Sequence, residues 1–155
     1  MAFSNQNVRT RITELVDAFN RGIKLLVSDL HERNKNDAVV YRVKMKVFAA
    51  VEVQPVLVVD VVGGYLLAYA EQIYADADAA ERFFIDNSFD GELAEAVDKE
   101  KRDYTQYVIP LVKRAWRGLS PEKKHEYRVR VQGLLTDYLD YKDLADALSA
   151  AQNKT

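Results

Sequence analysis

The side chains that most often perform catalysis or bind metals are sparse in this sequence. The chain has no cysteine and only two histidines, His31 and His125. Neither histidine has a second histidine or a carboxylate at the spacing of a recognised metal motif, so we expect both on the solvated surface. No phosphate-binding glycine loop, nucleophile elbow or zinc-protease motif occurs. The sequence therefore predicts a protein that is not an enzyme, with no catalytic residue and no cofactor.

One loop shares half of a calcium motif. In Asp86-Asn87-Ser88-Phe89-Asp90-Gly91, the residues Asp86, Ser88 and Asp90 stand where a helix-loop-helix calcium site has its first ligands. The twelfth position of that motif is a bidentate glutamate, and here it is Val97. A turn in which Asp90 caps the following helix explains the same residues and is the favoured interpretation.

A basic stretch is the main candidate for a binding site. It sets seven cations against Glu122 and Glu126, with Trp116 and Tyr127 interleaved. The cations of this basic face are Lys113, Arg114, Arg117, Lys123, Lys124, Arg128 and Arg130. Such a face could contact the phosphates of DNA or RNA. The alternative is that the cations pair with the acidic segment 76–100, within the chain or between chains.

Part of this stretch also shows a family resemblance. The run Trp116-Arg117-Gly118-Leu119-Ser120-Pro121-Glu122-Lys123-Lys124-His125-Glu126-Tyr127, with Tyr138 beyond it, resembles the junction of the second and third helices of an HMG box. That family binds the minor groove of DNA and bends it with an apolar wedge. The chain lacks the family's basic, proline-bearing N-terminal arm, and the region of its first helix is acidic here. Any tight helix-turn-helix corner would use the same tryptophan and tyrosine.

Three runs in the middle of the chain are Gly63-Gly64-Tyr65, Tyr69-Ala70-Glu71-Gln72-Ile73 and Phe83-Phe84-Ile85-Asp86-Asn87. Together they resemble uncharacterised helical proteins of large DNA viruses. The resemblance implies a virus-encoded protein, with a virion component as one role, and it implies no mechanism.

The elements that must position these residues are those of one helical domain. The chain has 155 residues, of which 48% are hydrophobic and 30% charged, a globular composition. We predict a single all-α domain over residues 1–155, with about five to seven helices and frayed ends at 1–6 and 150–155. The net charge of -2 gives no overall attraction to nucleic acid or membranes. Residues 1–10 hold no signal peptide, and no apolar run reaches the roughly 20 residues of a membrane span. We therefore expect a soluble, intracellular protein that does not interact with membranes.

The first predicted helix runs from Ser4 to Arg33 and is strongly amphipathic. Its apolar residues recur at steps of three and four, which places them on one stripe. They are Val8, Ile12, Leu15, Val16, Phe19, Ile23, Leu26, Val27 and Leu30. So long a stripe packs either along the protein's own core, the favoured interpretation, or along a partner's helix.

The segment 39–62 is ambiguous between helix and strand. From Val39 to Gln54 the odd positions are apolar and rich in valine, which is typical of a strand. A helix is favoured because Pro55 leaves no room for a hairpin turn before the next apolar run. The helical interpretation also has a cap at Asn36 or Asp37 and places Pro55 first in the following helix. A small β element within 39–62 is the alternative.

The following helices are predicted with different degrees of detail. Pro55 to Ala75 is apolar around most of its circumference and indicates a buried helix, in which the pair Gly63 and Gly64 allows close approach of another helix or marks a break. A short helix is expected around 79–85, and the helix carrying Tyr104 to Ala115 should kink or restart at Pro110. Ser120, Pro121 and Glu122 form a strong start signal for the last helix.

These patterns favour a non-enzymatic interaction or structural protein that self-associates, most simply as a homodimer. The grounds are the long apolar stripe of the first helix, the valine-rich segment, and the complementary acidic and basic blocks. A nucleic-acid-associated protein that uses the basic face is the alternative function.

Overall fold

The computed structural model of the protein describes residues 5–87 and 99–153. Within these residues the chain forms seven helices and no strand, which confirms the all-α single domain. The helices are α1 (Asn5–Arg33), α2 (Ala38–Val53), α3 (Pro55–Ala68), α4 (Ala70–Ile73), α5 (Ala77–Asp86), α6 (Lys99–Arg117) and α7 (Pro121–Asn153). Residues 5–6 and 150–153, which the sequence predicted to fray, lie within α1 and α7.

The long helices α1 and α7 pack against each other and build the centre of the core. The stripe predicted for α1 faces inward, with Leu15, Val16 and Phe19 buried. From α7, Leu134 and Leu135 are buried against them. The predicted interpretation of the α1 stripe as core packing is therefore confirmed for this part of the helix.

Residues 39–62 are helical, so the alternative of a small β element is wrong. The Asp37 carboxylate accepts hydrogen bonds from the backbone N–H groups of Val39 (2.9 Å) and Val40 (3.1 Å), which caps the start of α2. Pro55 begins α3 as predicted, because its missing N–H costs nothing in a first helical turn. Between the two helices the axis bends by 119°. The buried Asn20 supports this corner by donating a 3.1 Å hydrogen bond to the Pro55 carbonyl.

The prediction that Pro55–Ala75 is one buried helix is wrong in two respects. The helix ends at Ala68, and after Tyr69 the short α4 begins. Only Val59 and Gly63 of α3 are buried. An added Cβ at Gly63 would overlap the ring of Tyr138, so this glycine allows the close helix approach that was predicted, here between α3 and α7. Beside Gly64 there is open space.

Helices α5, α6 and α7 begin and end largely where the sequence indicates. Asp76 caps α5 by accepting a 3.0 Å hydrogen bond from the Ala79 N–H. Helix α6 continues through Pro110, so a restart at that proline is wrong, whereas the alternative, a kink, stays a prediction. Ser120 accepts a 3.2 Å hydrogen bond from the Lys123 N–H and caps α7, as predicted. Helices α5 and α6 lie beside the α1–α2–α3–α7 core and contact it less extensively than those four contact one another.

Candidate functional site

The most prominent surface feature is a concentration of exposed apolar side chains on α2 and α3. Among the described residues, twelve large hydrophobic side chains are exposed, and eight of them lie between positions 41 and 67. These eight form the α2–α3 surface: Tyr41, Met45, Val53, Val56, Leu57, Val61, Tyr65 and Leu67. Single exposed apolar residues are common, but so local a concentration is typical of an interaction site.

Helical spacing explains how these residues reach solvent together. On α2, Tyr41 and Met45 are four residues apart and lie on the same side of the helix, and Val53 is exposed at its last residue. On α3, Leu57, Val61 and Tyr65 repeat the same spacing. The exposed side of α3 is therefore largely apolar, whereas that of α2 also carries the exposed charged residues Arg42, Lys46 and Glu52.

The apolar stripe of α3 is interrupted by one charge and one glycine. Asp60 is the only charged residue of the helix, and its carboxylate accepts a 2.9 Å hydrogen bond from the Tyr141 hydroxyl. Burial, and then the hydrogen bond to Asp60, raise the pKa of Tyr141 to about 12. Gly64 is exposed at the middle of the stripe, with nothing within 4 Å of an added Cβ. The helix backbone is thus accessible to a neighbouring molecule at this point.

The predicted basic face is largely engaged within the protein. The Lys124 ammonium lies 2.9 Å from a carboxylate oxygen of Glu81 and 5.6 Å from the centroid of the Trp116 ring. The Trp116 indole N–H donates a 2.9 Å hydrogen bond to the same carboxylate. These two contacts, that of Lys124 first, lower the pKa of Glu81. Glu81 therefore joins α5 to both α6 and α7.

A second ionic cluster joins α1 to α7. The Arg130 guanidinium lies 3.3 Å from the Asp29 carboxylate and stacks on the Tyr127 ring at 5.4 Å. The Tyr127 hydroxyl donates a hydrogen bond to Asp29. Burial, and then this hydrogen bond, raise the pKa of Tyr127.

The other five cations of the basic face have different environments. Lys113 donates to the carbonyls of two residues at the end of α5, Ile85 and Asn87. Arg128 donates to the Ala75 carbonyl. Lys123 forms a 3.1 Å ion pair with Glu126, whereas Arg114 and Arg117 are exposed at the end of α6.

Five of the seven cations thus have intramolecular partners, which are carboxylates for Lys123, Lys124 and Arg130 and backbone carbonyls for Lys113 and Arg128. Within the described part of the acidic segment 76–100, Glu81 is the carboxylate that pairs with it, through Lys124. Binding of DNA or RNA by this face stays a prediction, and it depends mainly on Arg114 and Arg117.

The remaining chemical candidates of the sequence are dispersed. Asp86 is the last residue of α5, and its two partners in the calcium hypothesis, Ser88 and Asp90, lie outside the described residues. His31 is half-buried, with its ring 5.5 Å from that of Tyr41, and His125 is exposed on α7. In the described ranges, no group of three or more histidine, cysteine or acidic residues is arranged to hold a metal ion.

Sequence reasoning named the valine-rich segment of α2 as a ground for self-association, but it missed the exposed side of α3, which it predicted to be buried. The signal was present in α3, where apolar residues surround the helix and no face is marked as the solvent side. Such a pattern indicates complete burial, and a short helix that covers only one side of a small core leaves half of it exposed.

Comparison with known proteins finds no matching family, no similar curated protein and no similar solved structure. Among residues 5–87 and 99–153, no single helix has the length and apolar character to cross a membrane. Taken together, α2 and α3 meet that criterion as a pair bent by 119°.

Proposed function

We propose that this protein is a non-enzymatic interaction protein that forms a homodimer through the α2–α3 surface. The observation that carries the proposal is the clustering of eight exposed apolar side chains on two consecutive helices. Burying such a surface removes apolar area from water, which is the main driving force of protein association.

A second copy of the chain is the occupant that best fits this surface. A two-fold axis near Gly64 would bring identical stripes together, and such an interface needs no complementary patch elsewhere on the molecule. The open glycine allows the two helix backbones to approach closely. The Asp60 carboxylate is already hydrogen-bonded by Tyr141, which reduces the cost of covering it.

The size of the surface supports the participation of both helices. The 14 residues of α3 span about 21 Å, which is short for a stable interface of roughly 800 Å² per partner. The exposed apolar side chains of α2 add to this area, foremost Val53, which is 76% exposed and lies two residues before α3. The proposed role is structural, and the resemblance to viral helical proteins extends it to a component of a virion.

Analytical ultracentrifugation of matched variants tests the proposal. Val61 and Val129 are 49% and 51% exposed, and only Val61 belongs to the α2–α3 surface. We expect Val61→Lys to sediment as a monomer at concentrations where the wild type is a dimer, because the new charges would be buried. Val129→Lys should remain dimeric.

Either of two results would contradict the proposal. The first is an unchanged sedimentation profile for Val61→Lys. The second is a wild-type monomer that binds vesicles, which would assign the apolar surface to a membrane instead of a second copy.

A further inference from the structure

A cavity of about 570 Å³ lies between the helical core and the outer helices α5 and α6. Its lining is predominantly apolar and includes Leu66, Phe83, Phe84, Val112, Trp116 and Val131. Protein interiors are close-packed, and voids larger than a water molecule are few. The volume falls within the range of roughly 300–1,000 Å³ that is typical of sites for small organic ligands.

Four charged residues line the cavity, and their pairing leaves a positive excess. The two carboxylates, Asp29 and Glu81, are each paired with a cation from outside the lining, Arg130 and Lys124. The two lining arginines, Arg33 and Arg128, form no ion pair with the described residues. Among the described residues, an anionic group entering the cavity would therefore meet Arg128, which pairs with no carboxylate there, and Arg33, which interacts with the Tyr127 hydroxyl.

Arg128 also has an unused hydrogen-bond donor. One terminal nitrogen of its guanidinium donates to the Ala75 carbonyl, which fixes the side chain against the loop before α5. Its Nε–H is buried and has no acceptor among the described residues. A buried charged donor without an acceptor is costly, and a ligand carboxylate would satisfy it.

We propose that this cavity binds a long-chain fatty acid. The apolar lining accommodates the hydrocarbon chain, and the carboxylate accepts a hydrogen bond from the Nε–H of Arg128 and interacts with the charge of Arg33. This binding site is separate from the α2–α3 surface, so it does not depend on the dimer.

Trp116 provides a direct measurement of binding. It lines the cavity and is the only tryptophan in the chain, so its fluorescence reports on this site. Oleate and oleyl alcohol, added below their aggregation limits, share the same hydrocarbon chain and differ in the headgroup. We expect a saturable change in emission with oleate, and affinity for the alcohol at least tenfold lower. No saturable change with oleate, or equal affinity for both probes, would overturn the proposal.

Two charge-matched variants then locate the carboxylate. Arg128→Gln should weaken oleate binding about tenfold and leave binding of the alcohol unchanged. Arg117→Gln, which removes an exposed cation outside the cavity lining, should bind oleate like the wild type. Equal losses of oleate affinity in the two variants would show that the effect depends only on net charge. That result would contradict the role of Arg128 in binding the carboxylate. If Arg128→Gln fails to fold, the comparison of the two probes on the wild-type protein still decides the question.

Discussion

Two adjacent glycines show how differently the same residue type can function in one helix. Gly63 is buried against the ring of Tyr138, where any side chain would overlap. Gly64 is one residue further along the helix and faces open space. The sequence alone presents them as equivalent, because the contact that separates them joins residues 75 positions apart.

We predict that Gly63→Ala destabilises the fold by roughly 1–3 kcal/mol, because Tyr138 is 6% exposed and has little room to move. Gly64→Ala should be neutral or should stabilise the monomer by up to about 1 kcal/mol, because alanine favours the helix. Urea denaturation, at a protein concentration low enough to keep the protein monomeric, measures the free energy of unfolding of both variants. Equal effects of the two substitutions would contradict the close packing of α3 on α7.

At the same scale, Glu81 is the carboxylate whose ionisation the fold stabilises through both Lys124 and Trp116. A lowered pKa in the folded state means that this stabilisation is present above the ordinary value of 4.5. It is lost as the pH falls through the folded pKa. The contacts of Glu81 that hold α5 against α6 and α7 should therefore weaken in acid.

We predict that Glu81→Gln lowers the melting temperature at pH 7, and that the difference from the wild type shrinks as the pH falls below 4.5. Thermal unfolding followed by circular dichroism across this range provides the test. Glu126→Gln, which removes an exposed partner of Lys123, is the control and should have a smaller effect at pH 7. If the difference in melting temperature between Glu81→Gln and the wild type does not vary with pH, ionised Glu81 does not stabilise the fold as proposed.

At the scale of elements, α2 shows which signals decide between helix and strand. Its alternating valines are typical of a strand, and the chain is nevertheless helical. The helix is favoured locally by the cap at Asp37 and by Pro55, which separates the two apolar runs without a turn. Asp37 is also the acceptor of a 2.6 Å hydrogen bond from the Tyr107 hydroxyl, which lowers the pKa of its carboxyl group.

The sequence left open whether Asn36 or Asp37 caps α2, and the structure selects Asp37. We predict that Asp37→Ala lowers the free energy of unfolding, because two backbone N–H groups and the Tyr107 hydroxyl lose their acceptor. Asn36→Ala should change stability by only a few tenths of a kcal/mol. Chemical denaturation measures both, and the reverse order would show that Asn36 provides the cap.

Local signals in the sequence were sufficient to predict most of the helices, but they did not predict the break at Tyr69 and could not determine how α3 is oriented. The stripe of α1, the Asp37 cap and the Ser120 start signal each depend on residues close together in the chain. The exposed side of α3 depends on which neighbours cover it, and its apolar residues surround the whole helix. The cavity likewise depends on the placement of α5 and α6 against the core.

At the scale of the whole molecule, the described residues form a packed α1–α2–α3–α7 core with α5 and α6 beside it, joined to it by polar contacts such as those of Glu81 and by buried apolar residues such as Leu111. The apolar α2–α3 surface belongs to the core, and the basic face lies where α6 and α7 meet. Most cations of the basic face already have partners within the protein, so the apolar surface is the more available site for a partner molecule.

Salt separates these two modes of association. A dimer held by an apolar interface persists or strengthens at high salt. A dimer held by attraction between the acidic patch of one copy and the basic patch of the other would dissociate as salt screens the charges. The same comparison made with a short DNA duplex tests the alternative use of the basic face, since phosphate contacts weaken steeply with salt.

Sedimentation equilibrium of the full chain over a wide concentration range, at low and high salt and with or without a DNA duplex, tests the central claim most directly. We predict a mass that rises with concentration to twice the 17.7 kDa of one chain, at both salt concentrations and independently of DNA. A mass of 17.7 kDa at every concentration and at both salt concentrations would contradict self-association through the α2–α3 surface.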